Sequence, residues 1–364
     1  MYKVLIIGAG SIGNHLCHAC RQKGWGVHIY DIDNSALERT KTEIYPSRYG
    51  MWDTEIKLLS KLDPTISYDL AIVGTPPDTH VDVAVELLNS NPPRLMLIEK
   101  PLCRPLMQDW IRLTRHVDEI GCNTVIGYNH NFTENTRIAE ELVADSFFGN
   151  IASIDVRWLE HWDGIFSAHP WLDGPSDCYL GHWKRGGGAC AEHSHAISLW
   201  QHFSRILKAG EITTVTAQMD MVHTKDVFYD QATQIHVQSE AGLTGTIQQD
   251  VLTNPPEKSM RITGENGYLK WYANHDSMHD AVKFGRTNST PETIIIPKTR
   301  PDDFVGQVLH LGELMSGEPT TSPNSLQNGL STMEVISAAH LSNFTNKSIS
   351  LTSDDWKFQL DKML

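Results

Sequence analysis

Cysteine is scarce in this chain. Six residues among 364 are too few to frame a disulfide-stapled fold. Cys17 and Cys20 form one CxxC, but no second pair follows, and Arg21 stands where haem attachment would need a histidine. On a helix both thiols would lie near one face, the pattern of buried structural thiols rather than metal ligands. Long apolar runs are also missing: no stretch of 18 or more apolar residues occurs, so no membrane-spanning helix is expected. The apolar run in MYKVLIIGAG is too short for a secretory leader and feeds directly into a glycine pattern. Positive charge is in deficit. Lys and Arg number 30 against 44 Asp and Glu, a net charge of -14, which argues against a nucleic-acid partner. A phosphate-bearing small ligand remains compatible, because backbone amides and a few local cations can hold one. The expectation is a cytoplasmic protein with neither membrane nor nucleic acid as partner.

What is present is ordinary globular composition, 40% hydrophobic and 20% charged, in a chain long enough for two domains. KVLII, GVHIYD, YDLAIVGT, RLMLIEK and NTVIGYN read as strands. Helical stretches separate them at Ser11–Lys23, Ser35–Ile44, Thr79–Asn89 and Leu106–Ile120. Such alternation means parallel βαβ units and a doubly wound sheet, and strands that are apolar throughout mean helices on both faces. After about Tyr128 the rhythm changes. A helix over Glu134–Ala144 leads to the alternating IASIDVRWLEHW, then to a Trp-, Pro-, Asp- and Gly-rich loop running to Gly188, then to a helix from about Ala189. Seven strand-like segments follow between Glu211 and Pro297, separated by turn residues, and two helices close the chain near Asp303–Met315 and Leu326–Asn343. The plan is an α/β dinucleotide-type domain over residues 1–128 and an α+β domain with a mostly antiparallel sheet over residues 129–364.

GAGSIG, Gly8 to Gly13, leaves a strand and enters a helix. Glycines allow the tight turn and the close approach of backbone to a pyrophosphate, and the helix start supplies free amides and a positive dipole end. Asp31 ends the second strand, where a carboxylate accepts hydrogen bonds from a ribose diol and repels a 2′-phosphate. No arginine follows it until Arg39, so NAD is favoured over NADP. The competing role for Asp31, capping the next helix, could fall to Asp33 or Asn34 instead. The strand RLMLIEK ends in Glu99-Lys100-Pro101. Ligands of open α/β sheets bind beyond the carboxyl ends of strands, so Lys100 is placed to polarise a substrate hydroxyl. Pro101 would hold the turn, and its peptide is a candidate for cis.

The run GGGACAEHSH, Gly186 to His195, brings three glycines, an acid and two histidines together. If it opens a helix, Glu192 and His195 share a face, and His195, with an ordinary pKa of about 6.5, suits a general base. Glycines there would let backbone approach a ligand. A metal site from His182, Glu192, His193 and His195 is the less favoured reading, since His193 and His195 would diverge on a helix. Trp183, Lys184 and Arg185 directly precede the glycines; the tryptophan could line a sugar site or fill core, and the cations could hold an anionic substrate group or be solvated. His80 could cap or pack near the cofactor.

Taken in order, GxGxxG, GTPPDTH at Gly74–His80, EKP at Glu99–Pro101, GYN at Gly127–Asn129 and the GGG-acid-histidine box resemble the glucose–fructose oxidoreductase, inositol dehydrogenase and rhizopine-catabolism family, called Gfo/Idh/MocA. The resemblance runs through nearly the whole chain. It implies a Rossmann domain and an open-faced sheet domain, with homodimers or homotetramers formed through that sheet. It implies a tightly held nicotinamide cofactor, and oxidation or reduction of a carbon of a sugar-like substrate, a nucleotide sugar or a cyclitol included. It assigns catalysis to Lys100, His195 and Glu192, the last usually aspartate in the family. Cofactor contacts fall to Gly8, Gly10, Ser11, Ile12, Gly13, Asp31, Thr75, Pro76, His80, Glu99 and Lys100. Substrate contacts fall to Tyr128, Asn129, Trp183, Lys184, Arg185 and His195, and no metal is assigned. Two positions depart from the pattern: His130-Asn131-Phe132 stands where an arginine is frequent after GYN, and Ala196 replaces a frequent acid. Besides a dehydrogenase, the same fold includes glycosidases that use NAD transiently and a sensor that binds dinucleotide without turnover; the retained Lys100 and His195 argue against the sensor.

Overall fold

The computed structural model describes residues 1–144, 147–167, 169, 171–299, 301–318 and 321–362. They form two compact units that are not continuous stretches: Met1–Cys103, Gln108–Asn129 and Pro301–Gln327 make the first, and Arg104–Met107, His130–Arg300 and Asn328–Leu364 the second.

The first unit is built on six parallel strands, β1 (Lys3–Ile7), β2 (Gly26–Tyr30), β3 (Lys57–Leu59), β4 (Leu70–Val73), β5 (Leu95–Ile98) and β6 (Asn123–Ile126). Their order is β3-β2-β1-β4-β5-β6, the doubly wound arrangement with its crevice where the order reverses beside β1. β4 and β5 are buried at every position, as strands with helices on both faces must be. The helices are α1 (Ser11–Gln22), α2 (Asn34–Arg39), α3 (Tyr45–Tyr49), α4 (His80–Ser90) and α5 (Met107–Ile120). A π-helical turn, Thr40–Ile44, joins α2 to α3, so the single helix expected over 35–44 is a longer, bulged run. Asp33, not Asp31, caps α2: its carboxylate accepts from the Ser35 amide at 2.8 Å. A helix from far downstream, Asp302–Ser316, completes this core by packing Phe304, Val308, Leu311 and Leu314 among Leu16, Trp25 and Val27. Cys17 and Cys20 are buried in the same cluster, and burial pushes both thiols up in pKa.

The second unit holds nine strands: β7 (Ile151–Leu159), β8 (Ile212–His223), β9 (Phe228–Ser239), β10 (Thr244–Asp250), β11 (Glu257–Gly264), β12 (Gly267–Asp276), β13 (His279–Arg286), β14 (Glu292–Pro297) and β15 (Ile349–Ser350). Their order is β14-β13-β12-β11-β7-β10-β9-β8-β15, with every pairing antiparallel except β10 on β7. Burial alternates along β9 and β11, the mark of strands with one covered face. Helices α6 (Glu134–Ala144), α7 (Asp163–Ser167), α8 (Gly188–Glu192) and α9 (His195–Ile206) belong here. α9 is fastened to β7 by the Trp200 indole, which donates to the Ile154 carbonyl at 2.9 Å. The loop expected over 158–188 contains α7 and three short 3-10 turns; its residues 168 and 170 lie outside the described ones.

Candidate active site

In the first unit the glycine loop links β1 to α1. Gly8 has φ +109°, and a Cβ on it would sit 2.6 Å from the Gly74 carbonyl oxygen. A Cβ on Gly13 would lie 2.2 Å from the Gly8 carbonyl oxygen. The protein's own packing therefore demands those two glycines. Gly10 differs: no atom lies within 4 Å of where its Cβ would be. That open space leaves room for a group from outside the protein, and α1 begins at that point with no side chain capping its first amides. A pyrophosphate fits this cradle. Asp31 accepts from the Ala9 amide at 2.8 Å and the Asp33 amide at 2.9 Å. It thus ties the loop to the end of β2 while keeping about two of its four acceptor positions for a ribose. Ile12 packs against the core, and Ser11 receives two hydrogen bonds from Arg48, a residue the motif does not contain.

The turns after β4 and β5 are bolted together by His80. The side chain is fully buried, with Nε2 at 2.7 Å from the Thr75 carbonyl and Nδ1 at 3.1 Å from the carbonyls of Pro101 and Leu102. Burial lowers its pKa by more than these carbonyls raise it, and the ring acts as a strut between the two turns. The Thr79 hydroxyl donates to that of Thr75 at 2.7 Å, fixing the turn beside Pro76. Lys100 follows β5, and the Lys100–Pro101 peptide is cis. Glu99 lies against Gly127, where a Cβ would meet its Oε1 at 2.5 Å. The glycine of GYN thus makes room for the acid of EKP. Tyr128 is buried, its carbonyl accepts from Asn324 at 2.8 Å, and the Asn129 amide donates to the Asp303 carbonyl at 3.0 Å. These two residues are held within their own unit by the downstream segment.

The GGG box in the second unit corrects two expectations. First, its glycines bring backbone close to the protein's own groups. A Cβ on Gly187 would lie 2.1 Å from the Tyr179 carbonyl oxygen, and one on Gly188, at φ +82°, would lie 1.9 Å from Asp230 Oδ1. The Asp230 carboxylate fills the space above Gly188, accepts from the Cys190 amide and the Thr233 hydroxyl, both at 2.7 Å, and is pushed up to a pKa of about 7 by burial. Second, Glu192 and His195 do not share one helix. α8 ends at Glu192, α9 starts at His195, and the turn at His193-Ser194 is held by Gln249, whose amide donates to the carbonyls of Cys190 and His193 at 3.1 and 2.8 Å. Glu192 accepts from the Tyr179 hydroxyl at 2.9 Å. The His195 ring stacks on Trp158 at 5.3 Å and meets His130 edge-on at 5.0 Å; His130 also packs on Trp271. Trp183 is a third correction: it is 2% exposed and stacks on His340 at 4.6 Å, beside Phe344, so it fills core and cannot present its face to a substrate. Lys184 and Arg185 are exposed. Among the described residues no group of three or more His, Cys, Asp and Glu side chains is placed to hold a metal ion.

Motif reading missed Asp230 and Gln249. Both occupy inward positions of β9 and β10, and a polar side chain in such a place must be bonded. That mismatch was the available signal.

A six-stranded doubly wound sheet, a glycine cradle open to an outside group and a carboxylate after β2 define a dinucleotide-binding protein. Residues 2–128 match the oxidoreductase family with an NAD-binding Rossmann fold, and residues 136–270 match the Gfo/Idh/MocA C-terminal domain. The chain belongs to the Gfo/Idh/MocA family of oxidoreductases. An uncharacterised protein of Schizosaccharomyces pombe is 26% identical over 202 residues, 52% of this chain and 46% of that protein, so the match spans less than half the length of the yeast relative. Two solved structures share the fold. The WlbA dehydrogenase of Bordetella pertussis, in complex with NADH and UDP-GlcNAcA, has a TM-score of 0.69 at 18% identity over 97% of this chain and 99% of its own. The aldose-aldose oxidoreductase of Caulobacter crescentus, complexed with glycerol, has a TM-score of 0.76 at 16% identity over 96% and 99%.

Proposed function

We propose that the protein is an NAD-dependent dehydrogenase acting on a CH–OH carbon of a sugar, nucleotide sugar or cyclitol, working in the cytoplasm. The observation that carries this reading is Gly10, whose Cβ position is open at the start of α1, on the same sheet whose β5 is followed by Lys100. In this reading the first unit binds the cofactor through Gly8, Gly10, Ser11, Ile12, Gly13, Asp31, Thr75, Pro76, Glu99 and Lys100, with His80 positioning the two turns. The second unit binds substrate and forms homodimers or homotetramers through its sheet. The structures of the Bordetella and Caulobacter enzymes, with a nucleotide sugar acid and a polyol, support the substrate class.

Bound NAD supplies the hydride acceptor. Lys100 Nζ donates a hydrogen bond to the substrate hydroxyl oxygen and stabilises the negative charge that grows there as the proton leaves. A His195 ring nitrogen takes that proton. Trp158 fixes the plane of the imidazole, and Glu192, oriented by Tyr179, polarises the site. Lys184 and Arg185 attract an anionic group on the substrate, with Tyr128 and Asn129 as further contacts.

The test is nicotinamide absorbance on mixing the protein with NAD or NADP and a panel of aldoses, inositols, sugar acids and nucleotide sugars. Steady turnover with NAD and one class is expected. A flat trace across the panel with NAD bound would remove the dehydrogenase reading and leave a self-recycling glycosidase or a sensor, which aryl-glycoside cleavage would separate.

A further inference from the structure

The helical run from α2 through the π turn to α3 is clasped to the glycine loop at two points. Thr40 in the π turn donates its hydroxyl to the Ala9 carbonyl at 2.6 Å and accepts from Asn14 at 3.2 Å. Further along the run, Arg48 donates Nη1 to the Ser11 carbonyl at 3.0 Å and Nη2 to the Ser11 hydroxyl at 2.8 Å. π turns inside α-helices are frequent at functional sites. The segment that carries Arg48 is docked on α1 by aromatic pairs. Tyr49 stacks on His18 at 3.7 Å and 1°, and its hydroxyl lies 2.5 Å from His15 Nδ1; the Tyr45 hydroxyl lies 3.2 Å from His18 Nδ1. The guanidinium is therefore held in place before any ligand arrives.

α1 is twelve residues long, has no acidic residue in its first turn and no side-chain cap, so its start already carries the positive end of the helix dipole. The Arg48 guanidinium, bonded to Ser11 at the first residue of that helix, sets a fixed cation beside it. An anion at the helix start would be held by both the dipole end and the guanidinium.

We propose that Arg48 is a phosphate-binding residue of the cofactor site, giving a charge-assisted hydrogen bond to the pyrophosphate of NAD. This rests on the reading that Gly8–Gly13 takes that pyrophosphate. Arg48 grips the α1 side of the loop, at Ser11, whereas Asp31 holds the Ala9 amide, so the cation belongs to the pyrophosphate rather than to a ribose 2′-phosphate. A motif search cannot find it, because Arg48 lies outside the glycine pattern and reaches it only through the docking of α3.

The experiment is calorimetric titration of the full chain, as wild type, Arg48→Gln and Arg48→Lys, with ADP-ribose, 2′-phospho-ADP-ribose and adenosine at several salt concentrations. Arg48→Gln is expected to weaken ADP-ribose by about tenfold or more and to flatten its salt dependence, while adenosine stays within about twofold. Arg48→Lys keeps a charge but cannot span both Ser11 oxygens, and falls between. It also carries the test if Arg48→Gln does not fold. Unchanged ADP-ribose affinity in the variants overturns the proposal, as does an equal loss for adenosine, which would mark a purely structural contact, or a loss confined to 2′-phospho-ADP-ribose. Failure of the wild type to bind ADP-ribose would instead overturn the reading of the glycine loop itself.

Discussion

At the scale of single residues, the proposed function rests on two side chains with different tasks. Lys100 is a fixed cation at the end of a buried strand, and removing its charge should cost transition-state stabilisation without disturbing the glycine loop. Lys100→Met and His195→Ala are each expected to lose at least about a hundredfold in turnover while still binding NAD. Steady-state kinetics with the substrate found in the panel, beside calorimetry with NAD, would check both; a His195→Ala enzyme with normal turnover removes that residue from the role of base. Lys100 was legible in the sequence because EKP ends an apolar run. The packing of His195 was not, since Trp158, His130 and Trp271 come from separate stretches that only the folded sheet of the second unit assembles.

At the scale of elements, the two glycine-rich turns look alike in sequence and differ in cause. The Gly10 backbone lies in an extended region open to any residue, with φ -82°, and faces open space. Gly10→Ala should therefore leave stability within about 0.5 kcal/mol and yet weaken NAD binding on the order of tenfold, near 1.4 kcal/mol. Gly188 has a positive φ and a carboxylate where its side chain would go. Gly188→Ala should destabilise the second unit by about 3 kcal/mol or more, or prevent its folding. Melting temperatures and calorimetry on both variants would distinguish a ligand-imposed glycine from a packing-imposed one; a Gly10→Ala protein that binds NAD normally would remove the pyrophosphate from the cradle. Period and turn chemistry made β1, α1 and most strands of both sheets readable, but not the short edge strands β3 and β15. They could not show the break between α8 and α9, because Gln249 imposes it from a strand more than fifty positions away. Nor could they show that the helix Asp302–Ser316 returns to the first unit, because its apolar face would suit either core.

At the scale of the whole molecule, two buried titratable groups in the second unit set opposing slopes of stability against pH. Burial raises Asp230 to about 7 in the folded state, above an unfolded value near 3.9. The folded protein then holds a proton that the unfolded chain releases, so this contribution is complete below about pH 4 and is lost as pH rises towards about 7. His340 is fully buried against Trp183, and burial lowers it to about 3 from an unfolded value near 6.5. Here the unfolded chain binds the extra proton, so the contribution is complete above about pH 6.5 and is lost as pH falls towards about 3. Between about pH 4 and 6.5 the two slopes oppose each other, and the wild-type curve should be flatter than either alone. Asp230→Asn keeps acceptor oxygen for Cys190 and Thr233 but cannot ionise, so its stability should climb with pH over that window. His340→Leu should do the reverse and decline as pH rises. Urea unfolding midpoints of the three proteins from pH 4 to 8 would test this; parallel curves would show that neither group changes its protonation on unfolding. The coupling has a functional side, because Asp230 is the group that holds Gly188 and Cys190. Its ionisation as pH rises through about 7 buries a charge beside the turn that starts α8 and leads on to His195, and lowers the stability of that unit. In Asp230→Asn, activity above pH 7 should then fall off less steeply than in the wild type, with the difference confined to the limb governed by this carboxyl.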